Sequence, residues 1–369
     1  MDQAALSQNC AIVDMHCHLA GIGAGGSGCF VSERLRRNWR FGIYLKTFGV
    51  TRRELEQQGD DLVADRVSSL LSESRRVSHA VVLALDGVVD ATGQLDTNHT
   101  EVYVPNEFVF RATQRHPNLL FGASVNPCRK DALERLEWAK AHGAVLVKWL
   151  PAIMRFDPAT PGLAPFYRKL VELDLPLLTH TGREGSFSAA DEELCDPERL
   201  RLALRLGVKV IAAHAASSAC YQGEPGPERL ARLMREFPNL SADISALTQI
   251  NKHGSLRRAL ARPEFRGRLL YGSDFPLINT ALVWPWQYLF ELGWRKTSAI
   301  ARLSNPWDAD VTLKEALGTP ACVFENSLLT SPLNLRDSRR CSRFFNPQPR
   351  DPLGRGGDVS SPVPGFSHT

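Results

Sequence analysis

Short runs of Val, Ile, Leu and Ala recur along the chain, each followed by a longer stretch whose apolar positions repeat at helical spacing. The runs are 11–18 (AIVDMHCH), 79–85 (HAVVLAL), 119–125 (LLFGASV), 144–150 (AVLVKWL), 176–181 (PLLTHT), 208–214 (VKVIAAH), 240–244 (LSADI) and 268–274 (RLLYGSD). Segments such as 130–141 (KDALERLEWAKA) and 227–237 (PERLARLMREF) read as helices between them. Strands that alternate with helices imply a parallel sheet with right-handed crossovers. Their continuous apolar character implies cover on both faces. Eight such repeats over about 265 residues match the size of a (β/α)8 TIM barrel, an α/β fold, better than a doubly wound open sheet of five or six strands.

Two stretches fall outside the repeat. Residues 19–58 form a long loop insertion after strand one, opening as GIGAGGSG and continuing as RLRRNWRFGIYLK. On a barrel it would lie over the carboxyl-terminal mouth, where βα loops build sites. Residues 333–369 are rich in Arg, Pro, Ser and Gly and lack an apolar period, so the sequence predicts a barrel domain over 1–332 and a disordered tail over 333–369.

Composition narrows the class. The chain has 369 residues, 43% hydrophobic and 23% charged, enough for a large core. Its net charge is +4, of which the six Arg and three Asp of 331–369 supply +3, leaving residues 1–330 near neutral and giving no footprint for nucleic acid. No apolar run reaches the roughly 18 residues of a membrane span. Eight cysteines without a CxxC pair read as free thiols in a reducing compartment. With no basic-then-apolar leader at Met1-Asp2-Gln3, a cytoplasmic protein is expected.

Four of the ten histidines fall at the ends of predicted strands: His16 and His18 on strand one, His180 on strand five and His214 on strand six. Alternation puts His16 and His18 on one face. Asp274 ends strand eight, beside strand one in a closed barrel, and Lys148 lies near the end of strand four. Imidazoles and a carboxylate converging in an apolar interior suit a divalent ion, Zn²⁺ first and Mn²⁺ second, one or two per chain. Such an ion brings the pKa of bound water to about 7, and Asp274 could take its proton. Taken singly, each histidine reads more simply as a hydrogen-bonded core residue. The ordered set favours ligands. Asp14 is assigned to the face opposite His16 with a structural role, and Asp243 is either a neighbour of the site or a loop anchor.

The motifs DMHCHL, VKWLP, LLTHTG, VIAAHAA and YGSDFP, together with a closing FENSLL segment, resemble the amidohydrolase superfamily, in its amidohydrolase-related branch of metal-dependent hydrolases, from about residue 10 to 330. The resemblance implies His16, His18 and His180 as metal ligands, His214 as a ligand or catalytic histidine, and Asp274 as ligand and general base. It also matches Lys148 to a lysine that carries a carbamate in two-metal members. Without that modification, an ammonium beside a dication would be repelled or would bind an anionic substrate group. The branch includes decarboxylases resembling aminocarboxymuconate-semialdehyde decarboxylase. These usually carry glycines after the strand-six His, where this chain has Ala215-Ala216-Ser217, and tend to lack the strand-four lysine.

The reading is therefore a metal-dependent hydrolase attacking an amide or lactone carbonyl of a small molecule, with a decarboxylase as alternative and a non-catalytic metal-binding barrel as a third. Arg183, three residues beyond His180, is a candidate for an anionic substrate group. The Gly23–Gly28 run fits G-x-G-x-x-G but reads as a flexible lid, and the Arg34, Arg36, Arg37 and Arg40 cluster as an anion holder or a solvated face. Oligomer formation and substrate identity are left open by the sequence.

Overall fold

A computed structural model describes residues 12–183 and 190–330. Eight parallel strands form one sheet in chain order: β1 (Ile12–His18), β2 (Val77–Leu83), β3 (Leu119–Ser124), β4 (Leu146–Trp149), β5 (Leu177–Thr179), β6 (Val210–Ala212), β7 (Leu240–Asp243) and β8 (Leu269–Leu270). β8 returns to β1 through backbone bonds from Met15 to Tyr271, from Asp274 to His16 and from His18 to Phe275, so the sheet closes as a (β/α)8 TIM barrel. Every strand run read from the sequence overlaps a barrel strand; β2 begins before its run, at Val77, and the other strands lie within theirs.

Helices α1 (Asp61–Ser72), α2 (Asn106–Arg115), α3 (Ala132–Ala141), α4 (Ala164–Glu172), α5 (Arg201–Arg205), α6 (Gly226–Glu236), α7 (Ser255–Ala261) and α8 (Leu289–Ala301) follow the strands, with α9 (Pro306–Ala316) and α10 (Ala321–Thr330) after them. Helix α9 starts where Asn305 caps the amides of Trp307 and Asp308 and Pro306 takes the first turn, where a missing N–H is harmless. Two apolar layers result. Val13, Met15, Val81, Leu83, Leu146, Leu178, Ile211 and Leu270 fill the barrel interior. A larger set, including Trp149, Tyr167, Phe265 and Trp307, fills the space between strands and helices. Trp149 points outward against Phe156 and Phe166, as alternation with Lys148 requires.

The insertion departs from the loop expected of it. It carries a short strand (Phe30–Val31) and helices Glu33–Arg36, Trp39–Thr47 and Arg52–Gln58. Thr51 and Glu54 form a reciprocal capping box at the start of the last helix, a T-x-x-E signal present in the sequence. Nor is its glycine-rich start a loose lid. The Asp60 carboxylate accepts from the amides of Ile22 (2.9 Å) and Gly23 (2.8 Å) and from the Ser27 hydroxyl (2.5 Å), which pins the run to the body. Arg36 is committed to the carbonyls of Val31 and Ile22, so it is not a spare anion holder. The tail expected over 333–369 lies outside the described residues.

Candidate metal centre

Strict alternation would place Val13 and Met15 on one face of β1, and Asp14, His16 and His18 on the other. The strand instead carries one residue more than β2 between the pairs Asp14–Ala80 and Cys17–Val82. This bulge resets the parity. Val13 and Met15 face the interior, Asp14 and Cys17 face the helices, and His16 and His18 again face the interior above the apolar plug. A similar device acts after β6. Ile211 and Ala213 both face inward, so parity alone would send residue 214 outward. Left-handed backbone at His214 (φ 58°), Ala215 and Ala216 turns the imidazole back over the lumen. Asp274 is left-handed too (φ 64°). Such conformations cost about 1–3 kcal/mol each away from glycine, and here they accompany two side chains aimed at one point.

The side chains meet in a small volume. One ligand atom each from His16, His214 and Asp274 lies within 4.8 Å of the others, and all three residues are buried. Asp274 Oδ1 is 3.2 Å from His18 Nε2 and 3.6 Å from His16 Nε2. The His16 ring centre is 5.1 Å from that of His18 and 5.2 Å from that of His214, and His180 lies 5.0 Å from His214. Lys148, 1% exposed, places Nζ 3.1 Å from His16 Nε2. The structure thus brings together His16, His18, Lys148, His180, His214 and Asp274. Arg183 is exposed on the loop beyond His180.

A second layer, missed in part by the sequence, sets the protonation. Asp243 Oδ2 accepts from His16 Nδ1 at 2.8 Å. Its Oδ1 accepts from the amides of His214 (2.8 Å) and Ser245 (3.1 Å) and from the Ser245 hydroxyl. His214 Nδ1 lies 3.1 Å from the Ser245 carbonyl and 2.8 Å from the Ser245 hydroxyl. Both imidazoles therefore spend Nδ1–H on fixed acceptors and turn Nε2 lone pairs to the centre, the arrangement in which outer partners orient metal-binding histidines. Asp243 is both readings at once, neighbour and anchor. Its spacing with Ser245 repeats the i, i+2 pattern of His16 and His18, which was the available sequence signal.

Close packing makes this possible. A Cβ at Gly272 would meet His16 Cβ at 2.9 Å and Ser245 Cβ at 3.2 Å, so the segment leaving β8 approaches His16 this closely only with glycine at 272. Burial lowers the His16 and His214 pKa values, helped at His16 by Lys148 and at His214 by Lys252, a half-buried lysine on the β7 loop that sequence reasoning did not single out. Burial alone would raise Asp243 and Asp274, yet the surrounding imidazoles hold both carboxyls well below the usual range. The centre thus offers neutral imidazoles and an ionised carboxylate. That donor set fits a borderline divalent ion.

A sequence profile described as Amidohydrolase matches residues 13–299. The chain belongs to the amidohydrolase family. No curated protein matches its sequence. Among solved structures, an uncharacterized TIM-barrel protein from Bordetella bronchiseptica is 14% identical, with a TM-score of 0.53 over 87% of this chain and 99% of that one. The chain also aligns with 5-carboxyvanillate decarboxylase from Sphingomonas paucimobilis (11% identity, TM-score 0.45, 85% and 99% covered). Dihydroorotase from Campylobacter jejuni aligns at 17% identity and TM-score 0.36, with 71% and 68% covered. At these identities the likeness concerns the fold. No helix among the described residues is long and apolar enough to cross a membrane.

Proposed function

We propose that this amidohydrolase is a metal-dependent hydrolase that cleaves an amide or lactone bond in a small, anionic molecule. The observation that carries the reading is the convergence of His16, His214 and Asp274 within 4.8 Å, with Nδ1 of both imidazoles already engaged. In this reading His16, His18, His180, His214 and Asp274 hold one Zn²⁺ or a pair, with Mn²⁺ as the alternative ion. When bound, the ion acidifies a water and polarises a carbonyl oxygen. Asp274, ionised and 3.2 Å from His18 Nε2, takes the proton of the attacking water and returns it to the leaving group. His16 and His214 stay neutral and keep their orientation through Asp243 and Ser245. Lys148 serves either as a carbamate ligand or, with Lys252 and Arg183, as a cation for a substrate carboxylate.

The second reading is a decarboxylase, whose known members tend to lack the strand-four lysine. Lys148, buried beside His16, would hold the carboxylate to be expelled, and His214, after Nε2 takes up a proton from solvent, would deliver that proton to the carbon that loses CO2. Metal analysis of protein prepared without chelator, combined with a substrate panel, tests both. About two equivalents per chain and base consumption on amides or lactones supports hydrolysis with a Lys148 carbamate. One equivalent with CO2 release from carboxylic acids replaces it by decarboxylation. Asp274→Asn is expected to keep the fold and lower turnover by about 10²–10⁴-fold; unchanged turnover removes Asp274 from the mechanism.

A further inference from the structure

A cavity of about 290 Å³ lies between the loop after β6, the start of α6 and helix α7. Ala215, Leu247 and Ala259 line it, and all three belong to the helix side of the barrel wall or to α7 itself. None of His16, His18, Lys148, His180, His214 and Asp274 does, so the cavity is separate from the metal centre. Half of its twelve lining residues are Ala, Pro or Leu, and its volume is near the lower end of small-molecule sites, about 300 Å³.

Three charged residues line it, and two of them are already paired. The Glu228 carboxylate accepts from both Nη atoms of Arg262, with Nη1 at 2.8 Å, which fills that guanidinium fork and holds the Glu228 carboxyl below its usual range. Arg258 has no carboxylate partner among the described residues. Its Nη2 donates to Ser255 Oγ (2.9 Å) and to the His253 carbonyl (3.3 Å), neutral acceptors that hold the guanidinium at the start of α7. The cavity thus carries one positive charge in excess. Ser217 also lines it. This residue is 4% exposed, and its hydroxyl has no hydrogen-bond partner among the described residues. Buried hydroxyls are ordinarily paired, and an open one is a donor waiting for an acceptor. The first turn of α6 adds Pro225, Pro227 and Glu228 to the wall and has no side-chain cap, so its positive end also favours an anion.

We propose that this cavity binds a small organic monocarboxylate, its apolar body against Leu247 and the two prolines and its carboxylate on Arg258 and Ser217. One excess cation matches one negative charge, and a guanidinium receives a carboxylate with two parallel N–H bonds. A phosphate dianion fits less well, because one cation leaves its second charge unpaired against an apolar wall. The site goes beyond the reaction at the metal centre and does not depend on which reaction that is.

The test is isothermal titration calorimetry of the full chain, carrying the metal it is purified with, using benzoate, benzamide and inorganic phosphate as probes. Benzoate is expected to bind once per chain, with benzamide and phosphate each at least about tenfold weaker. Arg258→Gln removes the charge from an exposed side chain and should weaken benzoate about 10–100-fold. Ser217→Ala removes a hydroxyl that makes no bond in the fold and should weaken it about 3–10-fold. Metal content should be unchanged in both variants, and circular dichroism checks that they fold. Absence of benzoate binding at millimolar concentration overturns the proposal. So does binding that survives both substitutions and disappears when the metal is removed, which would put the carboxylate at the metal centre. Phosphate that binds more tightly than benzoate and is lost in Arg258→Gln overturns the assignment to an organic acid, and benzamide that binds as tightly as benzoate overturns the role of charge.

Discussion

Two buried carboxylates stand on the two sides of the barrel wall, Asp243 facing the lumen and Asp14 facing the helices, and their surroundings drive them in opposite directions. Both are fully enclosed, so burial raises the pKa of each. Asp243 meets imidazoles and backbone amides and is held well below the usual range. Asp14 meets only neutral donors: the amides of His16 and Ser273, the Ser273 hydroxyl at 2.5 Å and the Trp307 indole at 2.9 Å. Its pKa is pushed up to about 6. The four donors at Asp14 do not offset its desolvation, whereas the imidazole N–H, the two backbone amides and the Ser245 hydroxyl at Asp243 do. The lumen side is built to keep charge. The helix side uses a carboxylate as a clasp that joins β1, β8 and α9.

The comparison is tested most severely at Asp243. Asp243→Asn removes the charge that fixes the His16 tautomer, and metal affinity is expected to fall about 10–100-fold while the barrel stays folded. Competition with a chromophoric chelator reads this directly, and unchanged affinity would mean that the lumen needs no anion behind His16.

The pH dependence of metal-stripped protein should separate the two sides. His16 and His214 have lowered pKa values in the fold, so below about pH 6.5 the unfolded chain binds protons that the folded chain refuses, and stability falls with falling pH. Each imidazole contributes a slope of about 1.4 kcal/mol per pH unit in that window. Asp14 has the opposite sign, because a raised carboxyl pKa contributes stability that is lost as pH rises from about 4 to about 6. Urea titrations of wild type and His214→Asn between pH 5 and 6.5 are expected to differ in slope by about one proton. Equal slopes would mean that His214 is charged in the apo barrel.

The smallest effect is expected at the clasp. Trp307→Phe keeps a ring stacked on Phe275, 4.6 Å away at 11°, but removes one donor from Asp14. Stability should drop by about 1–2 kcal/mol and the Asp14 pKa should rise above about 6, with turnover within a few-fold of wild type. A metal-affinity loss as large as that of Asp243→Asn would show that the clasp positions Asp274 through Ser273, and the two sides would no longer be separate.

Much of this molecule is legible along the chain. Parallel strands covered on both faces leave uninterrupted runs of Val, Leu, Ile and Ala, so eight strands stand out, and His16, His18, His180, His214 and Asp274 are visible as polar residues at their ends. The capping box at Thr51 was also there to be read, and with it the helix in the insertion. What the chain could not display is partnership across large separations. Asp243 reaches His16 over 227 positions, and Trp307 reaches Asp14 over 293. The bulge in β1 and the left-handed turn at His214 each reverse an inward–outward assignment that local periodicity would fix the other way. Periodicity is a property of neighbouring residues and follows from backbone geometry alone. Protonation, tautomer and the direction of a strand-end side chain depend on which charges and backbones surround the site, and only closure of the barrel decides those.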